Sequence, residues 1–500
     1  MTCALLIAAL LPTLAGELPR AAAARAEQDA AYHQQLEQLA TRLQEEGQGE
    51  AAAVVSQWIA PKLQDRQRLF LSTTRLTDPD GQPTGEVPGW QREFEALRAR
   101  RAESLWSFAE EAVESGDLET AVQTVHEIYR EDPNNERAAK FLRWHLIDPA
   151  EIRSKPVRSP HKEFGWAGGQ HSLITTPHFL IHTNHSEQAG RELAMLLEET
   201  YQVWSQVFVR HWTDAADVRR AFEDRSLPAA SRRRHRVVLF ADRDEYVDHL
   251  RKREPQIELS SGMYRPAEQT AYFFAGPRVE KYWRHELVHQ LLAETGRVRH
   301  PKRSAPPGSD AHAWLIEGIA VYFESARREP DAILLGGFES ARLQFARYRL
   351  LQEGFYLPPM ELMSLGREAL KQHPEIRKIY TQSAGLVHYL MDGDRGKHRQ
   401  ALIDAVRQLY QEPKAVQPLD SLESIDRNYR AFLMVDDKRF DRLRFPQQIT
   451  ELCLGQTEVT DQIADKVASL TQLEWLDLAA CDVGDEVVAA IPSTAPLRQL

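Results

Sequence analysis

Five hundred residues, 42% of them hydrophobic, are enough for three or four packed domains of ordinary size. Acidic residues (73) outnumber Lys and Arg (62), so the net charge of −11 gives no reason to expect a nucleic-acid partner, and local arginine clusters such as Arg232 to Arg236 are ordinary solvated runs. Cysteine is too sparse for a disulfide framework, and Cys453 and Cys481 lie too far along the chain to serve a metal motif at His285 to His289.

Cys3 to Ala15 form an apolar run of 13 residues, short for a bilayer span but suited to the core of a secretory signal, and Thr13 to Ala15 offer small residues for cleavage. The run is preceded by no Lys or Arg, a departure from the usual pattern. Residues 1–20 are read as a signal peptide. Export to the periplasm, cell surface or medium is expected, with no transmembrane span in the mature chain. Cys3 precedes the apolar run, which disfavours a lipid anchor.

Residues 21–150 read as helical. Ala21 to Ala60 are rich in Ala, Gln, Glu and Leu, and Pro61 ends the pattern; Thr77 to Pro83 are turn material. Helical periodicity resumes at Trp90. Leu105, Phe108, Ala109, Ala112, Gly116, Ala121, Val125, Ile128 and Pro133 fall at the offsets of one tetratricopeptide-type (TPR-like) helix pair, with Ala112 and Ala121 small enough for close packing. Such a pair either binds a protein partner or simply positions the next domain of the chain.

Residues 151–172 read as a linker, because Pro156 to Gly169 hold two prolines and three glycines. A strand at His178 to Thr183 and a long helix at Ser186 to His211 come next, with Leu193, Leu197, Tyr201, Trp204 and Phe208 on one helix face. His178 and His182 share a strand face, as a second metal pair or as the polar side of a half-buried strand. Thr213 to Arg236 read as a mobile insertion. Val237 to Phe240 form a short buried strand, and Gly262 to Tyr264 with Thr270 to Phe274 form a hairpin.

The stretch from Pro277 to Gly296 contains the sequence HELVH, His285 to His289. Residues four apart on a helix differ by about 40° around its axis, so the two imidazoles lie on one side, one turn apart. Neutral imidazole suits zinc, and Glu286 is placed to act as a general base on water. The pentapeptide alone is too short to decide.

A third ligand is needed. Leu292 and Thr295 rule out an HExxHxxGxxH continuation, and Glu294, nine residues after His285, points about half a circle away. Glu317, 28 residues after His289, lies in an apolar helical run from Ala313 to Phe323, where a carboxylate without a cation is costly to bury. Asp310 and His312 are the alternatives. Ala320, one turn on, offers a small side chain for close approach to the histidine helix. Glu324 is either an orienting partner for a histidine or a solvated helix end.

HELVH followed by WLIEGIAVYFE resembles the gluzincins, the peptidase MA-like zinc metallopeptidases, and among them a group of bacterial secreted proteins. The resemblance implies Zn2+ held by His285, His289 and Glu317, with Glu286 as the catalytic base and a peptide or protein as substrate. It also implies a strand along the cleft near Tyr272 to Phe274, pairing with the substrate backbone, and an oxyanion donor from the helical half. Tyr380, heading YTQSAGLVHYL, is the candidate, as donor or as a packing tyrosine; Ser383 and His388 are weaker ones. Glu258 and Glu268 are the candidates for holding a substrate's free amine. Arg297 to Asp310 read as a cleft-edge loop, and Ser340 to Gln352, Pro359 to Gln372 and the helix at Ile379 as the lower helical half.

Near the C-terminus a repeat appears. Ile449, Leu452, Leu454, Val459, Ile463 and Val467 recur 24 residues on as Leu473, Leu476, Leu478, Val483, Val487 and Ile491, and Leu497 and Leu500 begin a third copy. This resembles leucine-rich repeats over 441–500, incomplete in the third copy; a shortened sequence, or packing on the catalytic region or on a protein partner, is expected.

The chain thus reads as multidomain α+β: a helical TPR-like region over 21–150, a gluzincin-type catalytic domain over 173–440, with a small mixed sheet and a helical lower lobe, and a leucine-rich segment. The function expected is zinc-dependent peptide hydrolysis. The alternatives are a non-catalytic interaction scaffold that retains the fold, and hydrolysis of a non-peptide bond.

Overall fold

The computed structural model describes residues 11–59, 63, 65–74, 87–296, 306–411 and 422–500. The chain is α+β, its described residues hold three sheets of which the largest is a six-stranded mixed sheet, and it divides into two units. The turn expected at Thr77 to Pro83 lies outside the described residues, as does most of the apolar run at 1–10; residues 11–20 are the first turns of a helix. Among the described residues no helix is long and apolar enough to cross a membrane.

The first unit comprises Met1–Leu63, Leu69–Arg153 and Tyr201–Arg232. The helical stretch at 21–60 is two helices, α1 (Leu11–Glu45) and α2 (Gly49–Trp58), because Gly47 takes φ 77° and turns the chain. Leu36, Leu39, Leu43, Ala52 and Val55 close this hairpin around a shared core with Phe94 and Leu97. The expected helix pair forms as α3 (Gly89–Ser115) and α4 (Leu118–Glu131). Gly116 ends α3 at φ 84°, and the Asp117 carboxylate caps α4 by accepting from the Thr120 N–H at 3.1 Å. Ala112 and Ala121 are both buried between them. The stretch read as a mobile insertion instead carries a capped helix at Ala215–Phe222, with Val218 and Ala221 buried; its arginines point outward and mask two apolar anchors.

The second unit comprises Gln64–Arg68, Ser154–Thr200 and Arg233–Leu500. Its sheet is built from β1 (Arg153–Pro156), β2 (Ser172–Thr175), β3 (Phe179–Thr183), β4 (His235–Phe240), β5 (Met263–Arg265) and β6 (Thr270–Phe274). The spatial order is β1-β2-β3-β4-β6-β5, with β3, β4 and β6 parallel, β2 antiparallel to β3 and β5 antiparallel to β6. Val237 to Phe240 and all of β6 are buried because both strands lie inside the sheet. The stretch read as a linker, 151–172, supplies β1 and buries Trp166, so its prolines and glycines shape a sheet edge.

Against the sheet packs α5 (Glu280–Thr295), with Leu287, Val288, Leu291 and Leu292 inward and Gly296 ending it. Then come α6 (Ala313–Phe323), α7 (Ala341–Leu351), α8 (Arg367–Gln372) and α9 (Ile376–Asp392). The helix expected from Pro359 to Gln372 breaks at Gly366, where a Cβ would lie 2.1 Å from the Ser309 carbonyl oxygen. The 24-residue repeat forms a parallel pair of short strands, β7 (Glu451–Cys453) and β8 (Trp475–Asp477), with Leu452 opposite Leu476. The repeat leucines share one core with Phe338, Val435, Phe440 and Leu443, so residues 441–500 are continuous with the unit that precedes them.

Candidate metal centre

The centre stands where α5 and α6 lie side by side. His285 and His289 present their Nε2 atoms 3.1 Å apart, and Oε2 of Glu317 lies 3.6 Å from each. Among the described residues this is the only trio of His, Cys, Asp or Glu that converges closely enough to hold a metal ion. Tetrahedral zinc with bonds of about 2.0 to 2.2 Å needs donors roughly 3.3 to 3.5 Å apart, so the three fit zinc. Asp310 and His312 are not part of the group; His312 stands at the start of α6 at φ 62°.

Electrostatics point the same way. Burial opposes charge on His285, but the carboxylates of Glu317 and Glu324 outweigh it and push its pKa up to about 10. Burial likewise opposes charge on Glu317, and the two histidines outweigh it, holding this carboxylate well below its usual range.

Glu324 is no solvated helix end. It is 6% exposed, and Nδ1–H of His285 donates to its Oε1 at 2.9 Å. Arg342 on α7 grips the same carboxylate with Nε at 2.9 Å and Nη2 at 3.2 Å. Although burial raises it, His285 and Arg342 bring Glu324 down to about 2. The carboxylate fixes the tautomer that leaves Nε2 of His285 facing the centre. Nothing in the sequence singled out Arg342. His289 has no counterpart of Glu324: its Nδ1 is buried without a hydrogen-bond partner among the described residues.

Glu286 lies beside the trio and accepts a 2.8 Å hydrogen bond from the Tyr264 backbone N–H. Burial pushes its pKa up, against the pull of the two histidines, as suits a base that must also release its proton. Gly262 makes room for it, since a Cβ there would lie 3.2 Å from Glu286 Cγ.

The strand beside the cleft is β5, not Tyr272 to Phe274. β6 is paired on both sides, by β4 and β5, and its side chains are buried, whereas β5 is the sheet edge and Ser260 to Arg265 line the cleft. Sheet order, which depends on distant strands, decides this.

Tyr380 reaches the centre: its phenol donates to the Glu317 carboxylate, and burial together with Glu317 raises its pKa. The approach depends on Gly318, where a Cβ would lie 2.6 Å from Val387 and 2.9 Å from the Ser383 carbonyl oxygen. The tight crossing of α6 is therefore at Gly318 against α9; Ala320 is buried but is not the closest point. Ser383 donates to the Ile379 carbonyl and His388 packs on Tyr322, so neither lines the cleft.

The cleft has a volume of about 1120 Å³, and Pro306, Pro307, Arg367, Lys371 and Tyr380 are among the residues that line it. The described end of the expected cleft-edge loop thus lies at the cleft; residues 297–305 lie outside the described residues. Glu258 and Glu268 do not line it: Glu258 pairs with Arg251, and Glu268 is held by Arg253, Arg265 and Tyr272. His178 and His182 form no metal pair. Nδ1 of His178 lies 2.7 Å from Glu198, and His182 packs against His161.

No family model matches this chain, and no curated protein is similar to it at a significant level.

Proposed function

We propose that this chain is a zinc-dependent peptidase of gluzincin type, with one TPR-like helix pair before the catalytic region in the sequence and leucine-rich repeats after it. One observation carries the reading. Two imidazoles and a carboxylate converge at donor spacing in an open cleft, with Glu286 beside them held by a single backbone N–H.

His285, His289 and Glu317 would hold the ion. Zinc, when bound, supplies Lewis acidity, lowering the pKa of water and polarising a carbonyl. Glu286 takes the proton of the attacking water and passes it to the leaving amine. Tyr380 turns its phenol from Glu317 towards the oxyanion that develops on the scissile carbonyl. The open edge of β5 receives an extended peptide as an added strand, its Tyr264 N–H exchanging Glu286 for a substrate carbonyl. Glu324 and Arg342 keep His285 oriented throughout.

Bound zinc and peptide hydrolysis, measured for the wild type and for Glu286→Gln, test this. One zinc per chain in both, and hydrolysis only in the wild type, is expected. Zinc without hydrolysis across a broad peptide library would favour a scaffold that retains the fold; absence of zinc would overturn the site.

A further inference from the structure

Resting on that reading, we infer that the cleft selects peptides carrying a carboxylate near the scissile bond, through Arg367 and Lys371. The charges lining the cleft are mostly spent on one another. Arg265 pairs with Glu254, Arg342 with Glu324, and Glu294 lies 2.6 Å from His235 Nδ1. Glu286 and Glu317 belong to the centre.

Two cations remain. Arg367 gives its Nε–H to the Pro307 carbonyl at 2.9 Å, and no carboxylate among the described residues stands against its terminal nitrogens. Lys371 is exposed and has no ion pair or hydrogen bond among the described residues. The two stand four apart on α8, on one face, and both line the cleft. α8 packs against α6 and α9, the helices that carry Glu317 and Tyr380, and Arg367 lines the same cleft as both.

A half-buried guanidinium with free terminal donors grips a carboxylate in two parallel hydrogen bonds, and a neighbouring ammonium adds charge without fixing direction. The carboxylate has two possible sources, an Asp or Glu side chain or the peptide's own C-terminus. A neutral side chain would leave both cations facing nothing. A basic one would be repelled.

Fluorescence anisotropy tests this on the full chain carrying Glu286→Gln and loaded with zinc. The probes are four fluorescein-labelled decapeptides, with Glu or Gln at the centre and a free or amidated C-terminus. Binding at least tenfold tighter to one carboxylate form is expected, shrinking with added salt and lost in the Arg367→Gln, Lys371→Gln double variant. The arm that shows the gain identifies the source. Lys371→Gln alone, at an exposed position that folding tolerates, should remove part of it. Equal binding of all four peptides, binding of none, or a preference that survives the double variant would overturn the inference. The outcomes separate from those of the catalytic reading: hydrolysis without carboxylate preference leaves that reading and overturns this one, whereas preference without hydrolysis does the reverse.

Discussion

Nε2 of His285 and Nε2 of His289 lie within hydrogen-bonding distance, so one ring donates to the other. Nδ1–H of His285 is given to Glu324, and its Nε2 faces His289 and Glu317. The two rings and Glu317 make one cation-seeking unit, and its members differ in what their loss should do.

Glu317→Ala removes the only anionic donor of the trio. Zinc affinity should fall by about 100-fold or more, measured by competition with a chelator of known strength. Asp310→Asn and His312→Asn should leave affinity unchanged. An unaltered Glu317→Ala would show that the third donor is elsewhere.

Glu324→Gln keeps the volume but weakens the hold on His285. A loss of roughly 10- to 100-fold in zinc affinity or activity is expected, of the order found for partners of metal-bound histidines. Arg342→Ala should move the same quantity in the same direction by less, since it acts only through Glu324.

Tyr380→Phe tests the oxyanion role. The phenol would act only on charge that develops during reaction, so kcat should fall by about 100-fold while KM changes little. The fold should hold, since only one hydroxyl is lost. A change confined to KM would make Tyr380 a wall of the cleft and nothing more.

Gly318→Ala places a methyl against Val387 and the Ser383 carbonyl of α9. A cost of about 1 to 3 kcal/mol in chemical denaturation is expected, because backbone cannot yield as a side chain can. Activity should drop further than stability, since the same crossing brings Tyr380 to Glu317.

His388 is fully buried and its pKa is lowered to about 3 by burial. The folded chain therefore keeps it neutral while the unfolded chain protonates it below about 6.5. Its contribution is complete above that pH and is lost as pH falls towards 3. Between pH 7 and 4.5 the loss is ~2 to 3 kcal/mol. His388→Phe, which retains a ring against Tyr322, should flatten this part of the stability profile. Parallel profiles for the two chains would refute the assignment.

The centre was legible in the sequence because it is local. Four-residue spacing sets His285 and His289 on one helix face, and an acid inside an apolar helix marks Glu317. Other features were hidden for the opposite reason. Whether β5 or β6 forms the sheet edge depends on β4, some 25 residues earlier, and the role of Arg342 exists only once α7 has packed against Glu324. At 151–172 and 213–236, abundant glycine, proline and arginine masked a few apolar anchors, Trp166, Val218 and Ala221, each of which pins its segment.

Two of the three arginines on α7, Arg342 and Arg347, face different neighbours. Arg342 reaches Glu324, while Arg347, fully buried, donates Nε–H to the Leu433 carbonyl and Nη1–H to the Cys453 carbonyl in β7. Burial lowers the pKa of that guanidinium to about 10, so it is tolerated only while those carbonyls surround it. One lever thus has the candidate metal centre at one end and the repeats at the other. Trimming the chain before residue 441 would strand Arg347 without Cys453 and disturb the seat of Arg342. Inactivity of such a fragment would then report a slackened helix, and should not be taken as evidence that the repeats bind substrate.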